Sequence, residues 1–415
     1  MSDAALIMRA DLDGLTRPPT TAPIEPTGNM LVKFKKGIPT SEAVALLKSS
    51  GSSVATVSDF KASFQLGAVL DQANAFVLER LGVAVLRNNE PDEFKARQGA
   101  LSLESEIAAI VPEFYVFAAS DTSADDPIHF DQDDATWGVH AVGGVRSSLS
   151  GRGITVGVLD TGFDGSHPDF QDRDIAQWSA FGVPTETDPF GHGTHCVGTV
   201  AGPRRNSSRP RYGIAYEAAV RVYKVLNDGG FGTDGAVLAG IDQALADGCQ
   251  VITMSFGRSA PPESHFNPIY EDVASEALDA GTVMVAAAGN AISRHQGFAA
   301  PIDYPANSPS IMAVAALDRR LDIADFSCRA VAANTSIDFA APGWDVFSSF
   351  TMPRRYHRCH GTSTAVPHVG GVACLWAQLS PELRGWALLK AMFEHARPLP
   401  GPRCDVGAGL VYAPF

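Results

Sequence analysis

The chain has 415 residues, of which 45% are hydrophobic and 19% charged, and its formal net charge is −14. This composition is too apolar for a chain that is disordered throughout, and the length predicts two or three domains. The acidic balance, without any basic tract, argues against a nucleic-acid partner or an anionic membrane surface. Every apolar run falls well short of the roughly 18 residues that a spanning helix needs, so we expect no membrane segment.

The N-terminal residues and the cysteines indicate the cellular compartment in which the protein is expected. Met1–Arg9 has no cationic start followed by an apolar stretch, so it does not read as a secretory signal. We therefore expect a cytoplasmic protein, or one exported without a recognisable signal peptide, and we expect a monomer. The six cysteines include no CxxC pair. They are expected to be reduced and buried, rather than bridged or bound to a structural zinc.

Three segments are predicted before the larger part of the chain. Residues 1–29 are rich in Pro and Thr and predict a flexible leader. Residues 30–118 predict a small α+β unit with the βαβ…βαβ order of a split βαβ sandwich. Its expected elements are strands at Met30–Lys35, Ser53–Val57 and Leu81–Arg87, helices at Glu42–Ser49 and Asp92–Leu103, and a run at Glu106–Ala118 whose end, Phe114–Phe117, is extended and aromatic-rich. Residues 119–134 are strongly acidic and predict a solvated linker.

Residues 135–415 alternate apolar strands with helix-like segments. The expected strands are Ile154–Leu159, Val220–Leu226, Val251–Ser255, Thr282–Ala288 and Ile311–Ala316, and the clearest helices are Gly235–Ala246 and Asn267–Ala280. Short continuous runs of Val, Ile and Ala are typical of parallel strands that are buried on both faces. The predicted fold class is therefore α/β, with a doubly wound, mostly parallel sheet. In such folds functional groups gather at the carboxyl ends of the strands.

Three motifs rich in glycine and hydroxyl residues follow or open these elements. They are Asp160-Thr161-Gly162, Gly191-His192-Gly193-Thr194-His195 and Gly361-Thr362-Ser363-Thr364-Ala365. A serine nucleophile needs an imidazole to take its proton and a carboxylate to orient that ring. Each motif alone is typical of a turn, a structural histidine or a helix cap. Together they predict nucleophilic acyl transfer. Asn290, which ends Ala286–Asn290, is placed to donate to a developing oxyanion beside the backbone N–H of Ser363.

These four motifs, in this order, resemble those of the subtilisin-like serine proteases, the subtilase family, over about Trp137 to the C-terminus. The resemblance implies that Asp160 is the orienting carboxylate, His192 the general base and acid, Ser363 the nucleophile and Asn290 the oxyanion donor. It implies a serine endopeptidase that acts on proteins or peptides. The unit at residues 30–118 is similar in size and element order to the family's inhibitory propeptide, which implies a zymogen-like precursor with an intramolecular inhibitor.

By the same resemblance, a substrate strand is expected to pair with two segments of the chain. The segment on one side of the substrate is Ser255, Phe256 and Gly257. The segment on the other side is Gly229–Gly232, in which Gly230 and Gly232 are the expected binding residues. Such pairing adds a β-strand to the protein and gives affinity through the main chain.

Specificity is expected to depend on nearby carboxylates. Asp303 is expected near the base of the first specificity pocket, with Asp188, Asp228 and Asp234 near neighbouring subsites. An acidic pocket floor favours Arg or Lys before the cleaved bond, unless Asp303 turns outward. Yet no Lys or Arg lies between Arg97 and Arg146, and the apparent junction is Phe117-Ala118-Ala119-Ser120. Either the pocket tolerates small residues or the N-terminal unit is not cut at its end, so a basic and a small-residue preference both remain open.

Calcium is another implication of the resemblance, but this chain argues against it. Asp169 and Asp133 match positions that ligate the ion in relatives. The loop that supplies the remaining oxygens is here Pro203–Arg211, which contains four arginines. Because cationic side chains around a divalent ion are unfavourable, we expect no metal or other cofactor. We expect Asp169 to accept hydrogen bonds from the backbone or from arginine.

Other residues beside the motifs are expected to be structural. His195 and His368 each lie about one turn beyond a catalytic position, and His167 is also read as structural. Thr364 stands where the family usually has Met, and we expect activity to survive that change. Cys359 is expected to be a semi-buried thiol.

Two other functions use the same residues. A catalytically idle homologue would keep the fold to bind a peptide, but it would not need every catalytic group. A peptide ligase or macrocyclase would use the same acyl-enzyme, but it would need a feature that excludes water.

Overall fold

The computed structural model describes residues 25–60, 64–88, 91–119, 121–122, 134–182, 186–204, 209–261, 265–291, 294, 300–332 and 334–415. The N-terminal unit comprises β1 (Pro26–Phe34), α1 (Thr40–Ser49), β2 (Val54–Thr56), α2 (Leu66–Gln72), β3 (Ala75–Leu78), β4 (Val83–Leu86), α3 (Pro91–Leu101) and β5 (Ile107–Ala118). A two-residue strand, β6 (Asp121–Thr122), follows it.

The C-terminal unit begins after the predicted linker. Its helices are α4 (Trp137–Ala141), α5 (His192–Ala201), α6 (Asp234–Ala246), α7 (Pro268–Asp279), α8 (Thr362–Leu379), α9 (Gly385–Glu394) and α10 (Arg403–Val406). Its strands are β7 (Thr155–Asp160), β8 (Ile175–Ser179), β9 (Ala219–Lys224), β10 (Phe231–Thr233), β11 (Val251–Met254), β12 (Phe256–Gly257), β13 (Val283–Ala287), β14 (Met312–Leu317), β15 (Phe339–Pro342), β16 (Val346–Ser349) and β17 (Tyr356–His360).

A seven-stranded parallel sheet forms the centre of the C-terminal unit, in the order β15-β14-β13-β11-β7-β9-β8. The inner strands β11, β13 and β14 are buried at every residue, which explains their unbroken apolar sequences. Helix α8 packs on β11, β13, β14 and β15, and α6 packs on β7 and β9. The predicted α/β class is confirmed, and the five predicted strands are present with ends shifted by one or two residues. No helix in the described ranges is both long and apolar enough to cross a membrane.

The N-terminal sheet, in the order β5-β1-β4-β3-β2, has an apolar face on each side. One face packs on α1 and α3 through Met30, Val32, Phe34, Ala43, Leu47, Ala75, Val77, Ala84, Leu86, Phe94 and Leu101. Because side chains alternate along a strand, the intervening residues point the other way. Five of these, Leu31, Phe76, Leu78, Val83 and Val85, join the core of the C-terminal unit. The two units therefore share one hydrophobic core.

The N-terminal unit differs from its prediction in two details. Strand β1 begins at Pro26, inside the segment predicted as a flexible leader, because Thr27 Oγ1 and Asn29 Nδ2 donate to Glu113 Oε2 at 2.6 and 2.8 Å. Proline is tolerated there because it is the first residue of the strand. The expected βαβ order occurs as β1-α1-β2 and β4-α3-β5, with β4 and β3 between β1 and β2 in the sheet, as in a split βαβ unit. Helix α2 and strand β3, however, were not predicted. Residues 1–24 lie outside the described residues.

The start of the predicted linker also differs from expectation. Strand β6 pairs antiparallel with β17, with Asp121 opposite His360 and Thr122 opposite Cys359. Acidic residues can form such a strand because ladder hydrogen bonds use only backbone groups. Linker residues 120 and 123–133, including the candidate calcium ligand Asp133, lie outside the described residues.

Candidate active site

The four predicted catalytic residues lie at the ends of regular elements. Asp160 is the last residue of β7, His192 is the first residue of α5, Ser363 is the second residue of α8, and Asn290 follows β13. Strands β7 and β13 flank β11 in the parallel sheet, so their carboxyl ends reach the same edge. Cys196, one turn into α5, has its Sγ 3.9 Å from both His192 Nδ1 and the carbonyl oxygen of Ser363. The first turns of α5 and α8 therefore meet around this sulfur.

Asp160 and His192 form a buried pair. The Nδ1–H of His192 donates to Asp160 Oδ1 at 2.7 Å, and the backbone N–H of Thr161 donates to the same oxygen at 2.8 Å. Burial lowers the pKa of His192, but the adjacent Asp160 carboxylate more than offsets this, so the pKa lies above its ordinary value. With Nδ1 engaged by the carboxylate, Nε2 is the nitrogen left to exchange a proton.

A second buried carboxylate, Asp188, holds the start of α5. Its two oxygens accept four hydrogen bonds, from Thr161 Oγ1 at 2.8 Å, Gly191 N–H at 3.0 Å, and Thr194 N–H and Oγ1 at 2.8 Å each. These bonds satisfy otherwise orphaned donors at the helix N-terminus. Asp188 is 1% exposed and caps this helix, and its expected proximity to a substrate subsite stays a prediction. Its position four residues before His192 was the only signal of its capping role.

The end of β5 occupies the groove between β10 and β12. Phe117 and Val116 pair with Phe231 and Gly232, and Ala118 and Phe117 pair with Phe256 and Gly257. The Ala118 N–H donates to the Gly230 carbonyl at 2.8 Å, and the Ala119 N–H donates to the Ser255 carbonyl at 3.3 Å. These are the segments expected from the sequence to pair with a substrate strand. Here they hold a strand of the chain itself.

Asn290 binds the carbonyl group that follows this strand. Its Nδ2 donates to the Ala119 carbonyl oxygen at 2.5 Å. The amide is held in this orientation because Oδ1 accepts from both the backbone N–H and the Oγ1 of Thr362, at 2.8 Å each. A backbone N–H can only donate, so Oδ1 must face Thr362 and Nδ2 must face Ala119.

Ser363 lies beside the same carbonyl oxygen. A Cβ atom added to Gly361 would lie 2.4 Å from Ala119 O, 2.9 Å from Asn290 Nδ2 and 3.0 Å from Ser363 Oγ, so these three atoms surround the Gly361 α-carbon. Only glycine leaves room for them. Within the described residues, Ser363 Oγ and His192 Nε2 are buried and have no hydrogen-bond partner. The serine–histidine hydrogen bond is therefore not made while β5 occupies the groove.

Asp303 lies inward and close to two glycines of the groove. It is 1% exposed. A Cβ on Gly289 would lie 2.5 Å from Asp303 Oδ2, and a Cβ on Gly257 would lie 3.1 Å from the Asp303 Cβ. The possibility that Asp303 turns outward is therefore wrong.

The two remaining carboxylates differ from each other. Asp234 is fully buried and its Oδ2 accepts from the Phe114 N–H of β5 at 3.0 Å, so it does contact the strand in the groove. Asp228 is 64% exposed and pairs with Lys224 at 2.9 Å. Because Asp228 is largely in solvent, it provides a matched surface control for Asp303.

The histidines expected to be structural are bound to backbone carbonyls. His195 Nε2 lies 3.0 Å from Val346 O, and His368 Nδ1 lies 2.9 Å from Thr364 O. Burial lowers the pKa of His195 to about 3 and that of His368 to about 4, so both rings are neutral at physiological pH. His167 Nε2 likewise lies 2.8 Å from Arg355 O, and burial lowers its pKa.

Thr364 and Cys359 were singled out in the sequence for their positions beside the nucleophile. The Thr364 hydroxyl donates back to the Gly361 and Gly343 carbonyls, at 2.9 and 3.2 Å. It therefore ties the turn before Ser363 to its own helix. Cys359 is 1% exposed, and burial raises the pKa of its thiol to about 12. This thiol is more completely buried than we expected.

Asp169, the described candidate for a calcium ligand, is engaged by two tyrosines. The Tyr212 hydroxyl donates to its Oδ2 at 2.5 Å, and the Tyr356 hydroxyl lies 3.0 and 3.1 Å from its two oxygens. These partners were not anticipated from the sequence. Hydroxyl donors on both oxygens leave this carboxylate poorly suited to a metal, which needs the same lone pairs.

One group of three metal-binding side chains occurs in the part of the chain that the structure describes. It consists of Asp160, His192 and Cys196. Burial raises the pKa of the Cys196 thiol well above its ordinary value, which disfavours the thiolate that a metal requires. A metal there would also compete for His192 Nδ1, which Asp160 already holds.

Comparisons with known proteins give the family and the fold of the chain. The model of the subtilase family matches residues 151–409. Subtilisin of Bacillus pumilus is 37% identical over 267 residues, which cover 63% of this chain and 90% of that protein. Subtilisin DY of Bacillus licheniformis is 35% identical over 261 residues, which cover 63% and 89%. The crystal structure of fervidolysin from Fervidobacterium pennivorans, a keratinolytic enzyme related to subtilisin, matches with a TM-score of 0.70 and 24% identity, and the match covers 94% of this chain and 60% of that one.

Proposed function

Because the chain belongs to the subtilase family and is a serine endopeptidase, we propose that it is made as a precursor that cuts itself between Ala119 and Ser120. One observation carries this proposal: the Ala119 carbonyl oxygen accepts from Asn290 Nδ2 at 2.5 Å, and this oxygen and Ser363 Oγ both lie within 3.0 Å of the position that a Cβ on Gly361 would take. A donor at the carbonyl oxygen and a nucleophile beside it are what attack on the Ala119 carbonyl carbon requires.

The proposed chemistry uses side chains of this chain alone. Ser363 Oγ attacks the Ala119 carbonyl carbon while His192 Nε2 accepts its proton, and Asp160 stabilises the imidazolium through Nδ1–H. Asn290 Nδ2 and the Ser363 backbone N–H hold the oxyanion. His192 then gives the proton to the Ser120 nitrogen, which leaves as an amine. Water hydrolyses the acyl-enzyme in the same way, and the carboxylate of Ala119 is released.

The N-terminal unit is proposed to inhibit the enzyme after the cut. Strand β5 pairs on both sides in the groove, which a substrate would need. Farther from the site, Lys33 Nζ pairs with Glu276 at 3.3 Å and the Leu81 N–H donates to Asp242 at 3.1 Å. Cleavage removes none of these contacts, and none of the shared core. The unit should therefore remain bound and block the groove until it dissociates or is degraded.

For substrate preference, we propose a small residue before the cut. Ala119 occupies that position in the chain's own groove, and the Asp303 carboxylate takes up space beside Gly289 and Gly257. Binding of Lys or Arg through Asp303 is the other candidate, because a buried carboxylate can pair with a basic side chain.

Hydrolysis of a synthetic peptide tests the proposed activity. The peptide Tyr-Val-Phe-Ala-Ala-Ser-Asp-Thr repeats residues 115–122. After self-cleavage and release of the N-terminal unit, we expect wild-type protein to cut it between the second Ala and Ser, and a fluorophosphonate probe to label Ser363. Ser363→Ala should do neither. Labelling without hydrolysis, or ligated products, would contradict an endopeptidase of this specificity.

A further inference from the structure

Arg258 is stacked between two aromatic rings at the far end of the groove. Its guanidinium carbon lies 3.9 Å from the centre of the Tyr304 ring and 4.2 Å from the centre of the Phe114 ring. The side chain is 7% exposed. Tyr304 belongs to the C-terminal unit, whereas Phe114 belongs to β5. One face of the guanidinium is thus covered by the enzyme itself, and the other by the strand in the groove.

The C-terminal unit holds Arg258 in this position without help from β5. Arg258 and Tyr304 exchange two backbone hydrogen bonds of 3.0 Å each, and the Tyr304 hydroxyl donates to the His265 carbonyl at 2.8 Å. Arg258 Nη2 lies 3.9 Å from Asp234 Oδ2. When β5 leaves, Tyr304 and Asp234 remain beside the guanidinium, and we expect the face that Phe114 covers to become open.

Rings provide much of the environment of this buried cation. Among the described residues, Arg258 Nε has no hydrogen-bond partner, and the contact to Asp234 is long for an ion pair. A cation with few polar partners gains most from an aromatic face, because cation–π attraction strengthens when water is excluded. An aliphatic side chain would fill the same space without this electrostatic contribution.

The position of Phe114 in β5 gives the register. The Phe114 N–H is fixed by Asp234 Oδ2 at 3.0 Å, and its neighbour Tyr115 pairs with Thr233 of β10. If Ala119 precedes the cut, Phe114 is the sixth residue before it. We propose that Arg258 forms a distal subsite that selects an aromatic side chain six residues before the cleaved bond, an inference that rests on the proposed cut after Ala119.

Peptides that differ only at this position test the subsite. The series is Xaa-Tyr-Val-Phe-Ala-Ala-Ser-Asp-Thr, with Phe, cyclohexylalanine or Ala as Xaa, and cyclohexylalanine matches Phe in size without its aromatic face. The measurement is kcat/KM at the Ala–Ser bond for protein that has cut itself and released its N-terminal unit. We expect Phe to exceed cyclohexylalanine by about 3- to 10-fold. In Arg258→Met the two should be cut at equal rates, and in Arg258→Lys part of the preference should remain.

The outcomes separate this subsite from the proposed function. If no peptide is cut between Ala and Ser, the proposed cut is wrong. If all are cut there but Phe and cyclohexylalanine are equal in the wild type, the aromatic subsite alone is wrong. The subsite is also wrong if Arg258→Met keeps the full preference for Phe. Should Arg258→Met fail to fold, the wild-type comparison still decides the matter.

Discussion

Glu113 Oε1 accepts a hydrogen bond from the Gly235 backbone N–H at 3.0 Å, so a side chain of the N-terminal unit occupies the N-terminus of α6 in the other unit. A carboxylate in this position satisfies an orphaned donor and meets the positive end of the helix dipole. Glu113 is 1% exposed, and its other oxygen is held by Thr27 and Asn29. The contact therefore links docking of the N-terminal unit to access to the groove.

Glu113→Ala should weaken this docking. A lost hydrogen bond to a charged group costs about 1.5–3 kcal/mol. The fraction of molecules with an open groove should therefore rise by about tenfold or more. The rate of fluorophosphonate labelling of the full-length protein measures this opening. Glu42→Ala, at an exposed position on α1, is the matched control and should label like the wild type. Equal labelling of Glu113→Ala and wild type would show that Glu113 does not hold the groove closed.

Asn290→Ala should slow hydrolysis without preventing binding. The oxyanion loses its side-chain donor, and removal of the corresponding donor in a subtilisin is known to cost about 10²- to 10³-fold in turnover. Thr362→Val provides the graded comparison. It removes one of the two bonds that orient the Asn290 amide and should cost about tenfold or less. Two results would contradict the role given to Asn290: a loss of kcat in Thr362→Val as large as that expected for Asn290→Ala, or an unchanged kcat in Asn290→Ala.

Asp303→Gly should widen the residue preference before the cut. Removing the carboxylate frees space beside Gly289 and Gly257, so cleavage after Phe relative to cleavage after Ala should rise by about tenfold. The measurement is kcat/KM for Tyr-Val-Phe-Ala-Xaa-Ser-Asp-Thr, with Ala, Phe or Lys as Xaa. Asp228→Ala changes an exposed carboxylate and should leave the profile unchanged. If wild type prefers Lys and Asp303→Gly loses that preference, the pocket binds a basic residue instead.

The reaction of the serine should depend on pH through His192. The ring must be neutral to accept the Ser363 proton, and Asp160 raises the pKa of His192 above its ordinary value. The rate of fluorophosphonate labelling should therefore be low at acid pH and rise with pH, with an inflection above about 6.5. Asp160→Asn removes the charge that favours the protonated ring, so its inflection should move to lower pH. An inflection that is unchanged in Asp160→Asn would assign the titration to another group.

Much of the candidate site could be predicted because short motifs lie where the fold class places functional groups. Asp160 directly follows a strand, and His192 and Ser363 open helices after glycines. Those local signals, with the rule that parallel strands end at one edge of the sheet, are enough to group them. The segments around Ser255 and Gly230 could also be assigned, because the resemblance carries them over by position.

The features of the site that could not be predicted from the sequence depend on contacts between residues that are distant in the chain. The hydroxyl of Tyr356 reaches Asp169 across 187 positions of the chain. The capping role of Asp188 was not predicted, because an acidic residue before a helix motif looks the same whether it caps the helix or lines a subsite. The local composition around Pro26 favours a leader, whereas Glu113 holds the neighbouring residues in a strand. Local patterns carry no information on such partners.

The intact masses of wild-type protein and Ser363→Ala, measured under denaturing conditions, test the central claim most directly. We expect wild type to yield two chains, residues 1–119 and 120–415, at a rate that does not change on dilution, because nucleophile and target lie in one molecule. Ser363→Ala should remain a single uncut chain. An uncut wild type, a cut at another bond, or the same cut in Ser363→Ala would contradict the claim that Ser363 attacks the Ala119 carbonyl.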